Sequence, residues 1–108
     1  MLFVAGQVGW DVQGRMVEGF VAQFRQALEN VRAVLDAAGV PVANVGRVTV
    51  YVTDKQAYIA GSREIGQAWR AVLGRHFPAM SLVQVADLLE EGATVEIEVT
   101  AVLTAGPG

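Results

Sequence analysis

Cysteine is absent from the 108-residue sequence, and histidine occurs once, as His76. Disulfide bonds, thiolate metal sites and cysteine nucleophiles are therefore excluded, and one subunit cannot form a histidine-rich metal centre. No apolar run reaches the roughly 18 residues that a membrane-spanning helix requires. Charged residues are also few, with 8 Lys and Arg and 11 Asp and Glu. The resulting net charge of −3 gives no sign of the basic surface that binds nucleic acid. We expect no membrane or nucleic-acid partner and no bound cofactor.

Apolar residues make up 53% of the chain and charged residues 18%, which excludes a disordered protein. The length suits one domain, residues 1–108. The apolar content exceeds what one short chain usually needs for its core, which favours self-association. The segment after Met1 lacks the features of a secretory leader, so we expect a cytoplasmic location.

The positions of the apolar residues predict four strands and two helices. Steps of three and four between residues 16 and 38, and again between 55 and 73, are typical of amphipathic helices that end at Gly39 and Gly74. Alternating or β-branched apolar residues predict strands at 2–8, 46–53, 79–86 and 94–103. The predicted order is β-α-β-α-β-β, followed by a flexible tail at 104–108.

Two helices can cover only one face of a four-stranded sheet. The valine and isoleucine rows of the second and fourth strands suit that covered face. The opposite face is then predicted to carry Thr49, Tyr51, Thr53, Met80, Leu82, Gln84, Glu96, Glu98 and Thr100. A solvated face rarely carries a Met-Leu pair, so this mixture favours burial against a second copy of the chain, with pockets between subunits. An open face in a monomer is the alternative.

Catalytic motifs are few, and they leave several interpretations open. The sequence has neither a dinucleotide-binding glycine loop nor a Walker motif. His76 could pair with Ser62 or Ser81, although its position after a helix is more typical of a solvated loop histidine. Glu96 and Glu98 lie on one strand face, where they could form an acid–base pair or could be ion-paired or water-facing carboxylates.

Several blocks of sequence, spread over the chain, resemble in content and order the Rid family of reactive-intermediate deaminases, also called the YjgF family. These blocks are Phe3–Gln7, Gln23, Ala27–Val31, Ala37–Gly39, Val48–Asp54, Phe77–Ala79, Ser81–Val85 and Val95–Glu98. The resemblance implies an α+β, chorismate-mutase-like subunit with a mixed sheet and two helices on one face. It also implies a homotrimer with ligand clefts between subunits, and it indicates that the family's first strand is missing from this sequence.

The resemblance further implies hydrolysis of enamines or imines, such as 2-iminopropanoate, to keto acids and ammonia. Glu96 matches the family's acidic residue that acts on the attacking water, and Gly6 and Gln7 match retained cleft positions. Tyr51 joins the predicted cleft because it is expected on the same sheet face as Glu96. No metal is expected in this site.

Three cleft positions depart from the family pattern. The arginine that grips the substrate carboxylate is Met80 here, a position that is often cysteine is Leu82, and a serine is Ala5. Losing ~4 kcal/mol of charge-assisted hydrogen bonding would lower binding or rate by roughly a thousandfold. We therefore expect an atypical substrate that does not use this anchor, and poor activity on 2-iminopropanoate.

Three functions remain open on the sequence. The first is an imine or enamine hydrolase that acts on such an atypical substrate. The second is a trimer that binds a small molecule, or serves as a scaffold, without chemistry, because Met80, Leu82 and Ala5 all place apolar groups in the cleft. The third is a purely structural or chaperone-like trimer.

Overall fold

The computed structural model describes residues 1–103 as one mixed sheet packed against helices. Its elements are β1 (Leu2–Val8), α1 (Phe20–Ala38), a short 3-10 turn (Val42–Asn44), β2 (Val45–Val52), α2 (Lys55–Ala60), α3 (Ser62–Leu73), β3 (Ala79–Gln84) and β4 (Val95–Ala101). No helix among the described residues is both long and apolar enough to cross a membrane. The predicted flexible tail at 104–108 lies outside the described residues.

The four strands form one sheet in the order β1-β4-β2-β3. β4 pairs antiparallel with both β1 and β2, whereas β3 runs parallel to β2. The parallel pair follows from the chain connection, because α2 and α3 carry the backbone across the sheet before β3 begins. The predicted α+β class and the mixed sheet are confirmed.

The hydrophobic core lies between the helices and one face of the sheet. The valine rows of β2 and the Val95–Val99 row of β4 are buried there, as predicted. Phe24, Leu28 and Leu35 of α1 are each no more than 1% exposed and fill the space opposite these rows. The alternation of β4, buried at every second residue, places its glutamates on the other face.

The first helix begins at Phe20, so the prediction of a start near residue 16 was wrong. Gly19 has a φ of 94° and a ψ of 143°, a positive-φ conformation far from the α-helical one, so the helix cannot extend back through it. The preceding segment instead folds back as a small hairpin, in which Trp10 and Met16 form an isolated bridge. The apolar periodicity before Gly19 therefore did not indicate helix.

The second predicted helix, 55–73, is divided at Gly61 into α2 and α3. A Cβ at Gly61 would lie 2.9 Å from Val21 Cγ2, so α1 approaches the junction too closely for a side chain. Backbone hydrogen bonds still cross it, from Gly61 N to Ala57 O and from Ile65 N to Gly61 O. The two helices that were predicted are therefore three. The strands β3 and β4 also end earlier, at Gln84 and Ala101.

Candidate functional site

The pairing of β3 with β2 decides which side chains of β3 face the helices. Met80 lies opposite Val48, and Leu82 opposite Val50, in the parallel register. Paired residues project to the same side of a sheet, so Met80 and Leu82 lie on the helix-covered face. The prediction that they share the opposite face with Glu96 was therefore wrong, and Gln84, which pairs with Val52, is misplaced in the same way.

The reason for this error is visible in the composition of β3. Its two alternating sets, Ala79-Ser81-Val83 and Met80-Leu82-Gln84, are both mixtures of apolar and polar residues. Alternation alone therefore does not tell which set is buried. The uncovered face receives Ala79, Ser81 and Val83, beside Arg47, Thr49 and Tyr51 of β2.

Glu96 lies on the uncovered face directly against Gly6 of the neighbouring strand. An added Cβ at Gly6 would stand only 2.6 Å from Glu96 Cδ and 2.8 Å from Cγ. The pairing of β1 with β4 is irregular between Val4 and Gln7, and the Gln7 side-chain amide donates to the Ala5 carbonyl at 2.9 Å within this irregular stretch. Gly6 and Glu96, which the family resemblance names separately as cleft residues, are thus neighbours within one chain.

The two glutamates of β4 have different surroundings. The Tyr51 hydroxyl donates to Glu98 Oε1 at 2.8 Å, whereas none of the hydrogen bonds or ion pairs within residues 1–103 uses the Glu96 carboxylate. This hydrogen bond to Glu98 is the main cause that raises the pKa of Tyr51, with desolvation and the charges of Glu98 and Glu96 adding to it. Both carboxylate oxygens of Glu96 are therefore available to a bound molecule, whereas one oxygen of Glu98 already accepts from Tyr51.

Met80 lines an open pocket of about 180 Å³ on the helix-covered side. Its floor and walls come from α1, α2, α3, the segment before β3 and β3 itself, namely Phe24, Tyr58, Ser62, Ile65, Gly66, Trp69, Phe77, Pro78 and Met80. No charged side chain belongs to this lining. The pocket can hold an apolar group of the size of a small ring, since a cavity of about 150 Å³ accommodates benzene.

His76 fixes the segment that forms one wall of this pocket. Its Nε2 lies 2.7 Å from the Val45 carbonyl oxygen, and the Trp69 indole N–H donates to the His76 carbonyl at 2.9 Å. The ring is half-buried, so the interpretation as a solvated loop histidine was too simple. Its hydrogen bond goes to backbone rather than to Ser62 or Ser81, and the Ser–His alternative has no support within the described chain.

Comparison with known proteins decides the family. The family model described as Endoribonuclease L-PSP matches residues 1–103. The chain belongs to the Rid family. It is 36% identical over 106 residues to the 2-iminobutanoate/2-iminopropanoate deaminase of Salmonella typhimurium, covering 94% of this chain and 79% of that protein. The human 2-iminobutanoate/2-iminopropanoate deaminase is 34% identical over 103 residues, which are 94% of this chain and 72% of that protein.

Solved Rid structures have the same fold. E. coli TdcF with bound serine superposes with a TM-score of 0.82 at 33% identity, covering 94% of this chain and 80% of that one. YyfB from Yersinia pestis, described as a member of the Rid protein family, gives a TM-score of 0.81 at 35% identity, with 94% and 77% covered.

Within one Rid subunit, the predicted cleft residues fall into two separate groups. Gly6, Glu96 and Tyr51 share the uncovered face, and Ala5 precedes Gly6 on β1. Gln7 pairs with Ile97, whose side chain is buried under the helices, so Gln7 does not share the face of Glu96. Met80 and Leu82 lie on the other face and at the other edge of the sheet. Two strands separate β1 from β3, so the edges are roughly 14 Å apart at 4.7–4.9 Å per strand spacing. One chain does not bring the two groups together.

Sequence reasoning missed the residues of α3 that line the Met80 pocket. Ile65 and Trp69 belong to the same apolar stripe that faces the core, so their spacing carries no separate signal. Gly66 is the sequence signal that could have pointed to this pocket. A glycine inside a helix lowers stability by roughly 1 kcal/mol relative to alanine, so its presence suggests a role other than helix formation. Its neighbour Arg70, one turn later, was also not recognised.

Proposed function

We propose that this Rid protein hydrolyses an enamine or imine to a carbonyl compound and ammonia, and that Glu96 is its catalytic residue. The observation that carries the proposal is the free Glu96 carboxylate held against Gly6, beside a second carboxylate that Tyr51 already occupies. The relatives named as 2-iminobutanoate/2-iminopropanoate deaminases support the same reaction class.

Glu96 has the chemistry that the hydrolysis requires. The oxygen of a water molecule bonds to the carbon of the protonated imine, the π electrons of the C=N bond pass to nitrogen, and Glu96 accepts one proton of the water. Glu96 then returns this proton to the nitrogen of the carbinolamine. The C–N bond breaks as Glu96 takes the hydroxyl proton, which leaves a carbonyl group, and the departing ammonia carries that proton away as ammonium. β1 and β3 are the edge strands of the sheet, so backbone amides near Gly6 and near 79–82 could polarise the developing charge.

We further propose that three copies assemble and that the ligand clefts lie between them. Met80 and Leu82 lie on the helix-covered face of the edge strand β3. Gly6 lies on the opposite edge strand, β1, and Glu96 and Tyr51 lie on the uncovered face of the central strands. We expect the β1 edge of one copy to meet the β3 edge of the next and so to complete a site. Such a head-to-tail contact closes into a ring when the rotation permits it. Phe3, which is 73% exposed, and Val83 would also gain cover on the uncovered face.

The substrate is proposed to be atypical. Met80 replaces the arginine that the family resemblance places at this position, and its pocket lining has no charged side chain. A carboxylate placed against this wall would lose water without gaining a partner. The small substrate 2-iminopropanoate, held at this wall, is therefore expected to be a poor one.

Nucleic acid is not proposed as a substrate, although the family description names an endoribonuclease. The net charge is −3, and Glu96 and Glu98 add negative charge to the face that carries the proposed base. Both features oppose the approach of a polyanion. A cytoplasmic location remains a prediction.

Ammonia release from a panel of imines, generated in situ by flavin oxidases, tests the proposed reaction. Glu96→Gln should lower the enzymatic rate by about 100-fold or more, because it removes the proton acceptor and keeps the shape. Glu91→Gln, at an exposed glutamate in the loop before β4, is the matched control and should not change the rate. Equal rates for wild type and Glu96→Gln would refute the role of Glu96, and a monomer in light scattering would refute the intersubunit cleft.

A non-catalytic trimer that stores or carries an apolar small molecule is the second candidate. The apolar pocket of about 180 Å³ beside Met80 favours it. Retention of a hydrophobic molecule through purification, together with no acceleration of any imine, would favour this candidate over the hydrolase.

A further inference from the structure

The Arg70 guanidinium lies beside Gly66, one of the residues that line the Met80 pocket, although Arg70 itself does not belong to the lining. Gly66 lines this pocket, and the position that a Cβ would occupy there is 3.3 Å from Arg70 Nη1 and 3.9 Å from Cζ and Nη2. Side chains on a helix lean toward its N-terminus, so a residue at i+4 covers the position one turn before it. Because residue 66 has no side chain, the Arg70 guanidinium can lie close against this turn of the helix.

This guanidinium has no partner within the described chain. Arg25 and Arg32 form ion pairs with Glu29 and Asp36 on α1. Arg32 also donates to the Val72 carbonyl, and Arg47 reaches Ser81 on the uncovered face. No hydrogen bond or ion pair among residues 1–103 engages the Arg70 side chain, which is exposed. Its planar donors are therefore available to a carboxylate.

The Met80 pocket accepts an apolar group. Phe24 and Trp69 are buried in its floor, and Phe77 and Met80 form part of its wall. A ligand that fits both features carries an anion at one end and a bulky apolar substituent at the other. A methyl group would leave most of the volume of about 180 Å³ unfilled.

We propose that Arg70 binds the substrate carboxylate in place of an arginine at position 80, and that the substrate is a 2-imino acid with a bulky apolar side chain. This inference rests on the proposed hydrolase function. The side chain enters the Met80 pocket, and the carboxylate pairs with Arg70 beside Gly66. Water adds to the imine carbon and ammonia leaves, which gives the corresponding 2-keto acid.

Imines made in situ from phenylalanine, leucine and alanine by an L-amino acid oxidase test the substrate class. The value of kcat/KM should be about 10-fold or more higher for the phenylalanine- and leucine-derived imines than for the alanine-derived one. Arg70→Met should lower it about 10- to 100-fold for the phenylalanine-derived imine, mainly through KM. Benzylimine, which has the ring but no carboxylate, should react equally well with both proteins. Arg63→Met, at an exposed arginine of α3 outside the pocket lining, is the control and should behave as wild type.

Binding of phenylpyruvate, the stable keto acid, tests the anchor without turnover. Calorimetry should give a dissociation constant about 10-fold or more higher for Arg70→Met than for wild type, with pyruvate weak for both. Equal phenylpyruvate affinities would overturn the inference even if benzylimine is hydrolysed and the proposed function stands. A protein that binds phenylpyruvate through Arg70 but accelerates no imine would keep the anchor and refute the hydrolase. Light scattering checks the assembly of Arg70→Met. If this variant no longer assembles, Arg70 belongs to a subunit contact, and the proposal is overturned.

Discussion

The Glu96 end of the candidate site and the Met80 pocket are built in opposite ways. Glu96 lies on an uncovered sheet face, where its neighbours are Gly6, Tyr51 and Glu98. The Met80 pocket shares its floor with the hydrophobic core, through Phe24 and the buried part of α3. Substitutions at the first region should therefore change chemistry with little effect on folding, whereas substitutions in the pocket floor should change both.

Removal of the pocket floor gives the largest expected effect. Phe24→Ala should lower the free energy of unfolding by about 3–5 kcal/mol, because it deletes a ring that is 1% exposed. Phe77→Ala removes a ring from the same pocket wall, but that ring is 67% exposed, so the loss should stay below about 1 kcal/mol. Urea denaturation measures both free energies of unfolding. Equal losses would contradict the claim that Phe24 belongs to the core as well as to the pocket, whereas Phe77 belongs to the pocket wall.

A methyl group at Gly6 should separate chemistry from folding. Gly6→Ala forces the Glu96 side chain to move, because the new Cβ would lie 2.6 Å from its Cδ. We expect imine hydrolysis to fall by about 100-fold, with a change in unfolding free energy below about 1 kcal/mol. Gly46→Ala, where nothing lies within 4 Å of the added Cβ, is the matched control. Unchanged hydrolysis in Gly6→Ala would contradict a positioned Glu96.

A charge at position 80 tests the apolar wall directly. Met80→Arg should raise activity on 2-iminopropanoate by about 10-fold or more, since it restores a bidentate partner for the carboxylate. Met80→Leu changes the side chain without adding charge and should leave that activity low. If Met80→Arg is as inactive as Met80→Leu, the pocket departs from the family pattern at more positions than this one.

The Tyr51–Glu98 hydrogen bond should give the smallest effect. The pKa of the Tyr51 phenol lies above its ordinary value of 10.0. The hydrogen bond therefore contributes fully to stability below pH 10.0, and this contribution is lost as the pH rises through the raised pKa. Glu98→Gln should lower the pKa of Tyr51 toward 10.0, because it removes a negative charge and the charge-assisted bond. Phenolate absorbance in a Tyr58→Phe background measures this shift. A Tyr51 pKa that does not respond would show that the pair is not formed in solution.

Much of the fold could be predicted because its signals are local. The strand of Val48, Val50 and Val52 and the helix that ends at Gly39 follow from spacing and from one stop residue. The start of α1 could not be placed, because the apolar residues before Gly19 belong to a hairpin. At Gly61, where the second helix divides, an added Cβ would lie against Val21, forty residues earlier in the chain, and no local pattern carries that contact.

The candidate site was predicted unevenly for the same reason. Glu96 and Gly6 were named from the family resemblance, and the structure brings them into contact, while their roles stay predictions. Glu98 could not be distinguished from Glu96, because the difference is a hydrogen bond from Tyr51, 47 residues away. The face of Met80 was predicted wrongly, since both alternating sets of β3 are mixed in polarity and the parallel pairing with β2 chooses between them.

The order of amino acids by itself determined the element types, the valine-rich core face and the residue types available for catalysis, because periodicity and composition act over a few residues. Only the tertiary structure decided that Met80 faces the helices, that Tyr51 binds Glu98 rather than Glu96, and that the Arg70 guanidinium lies against Gly66. Each of these depends on strand register or helix packing, which join residues distant in the chain through contacts that no short segment encodes.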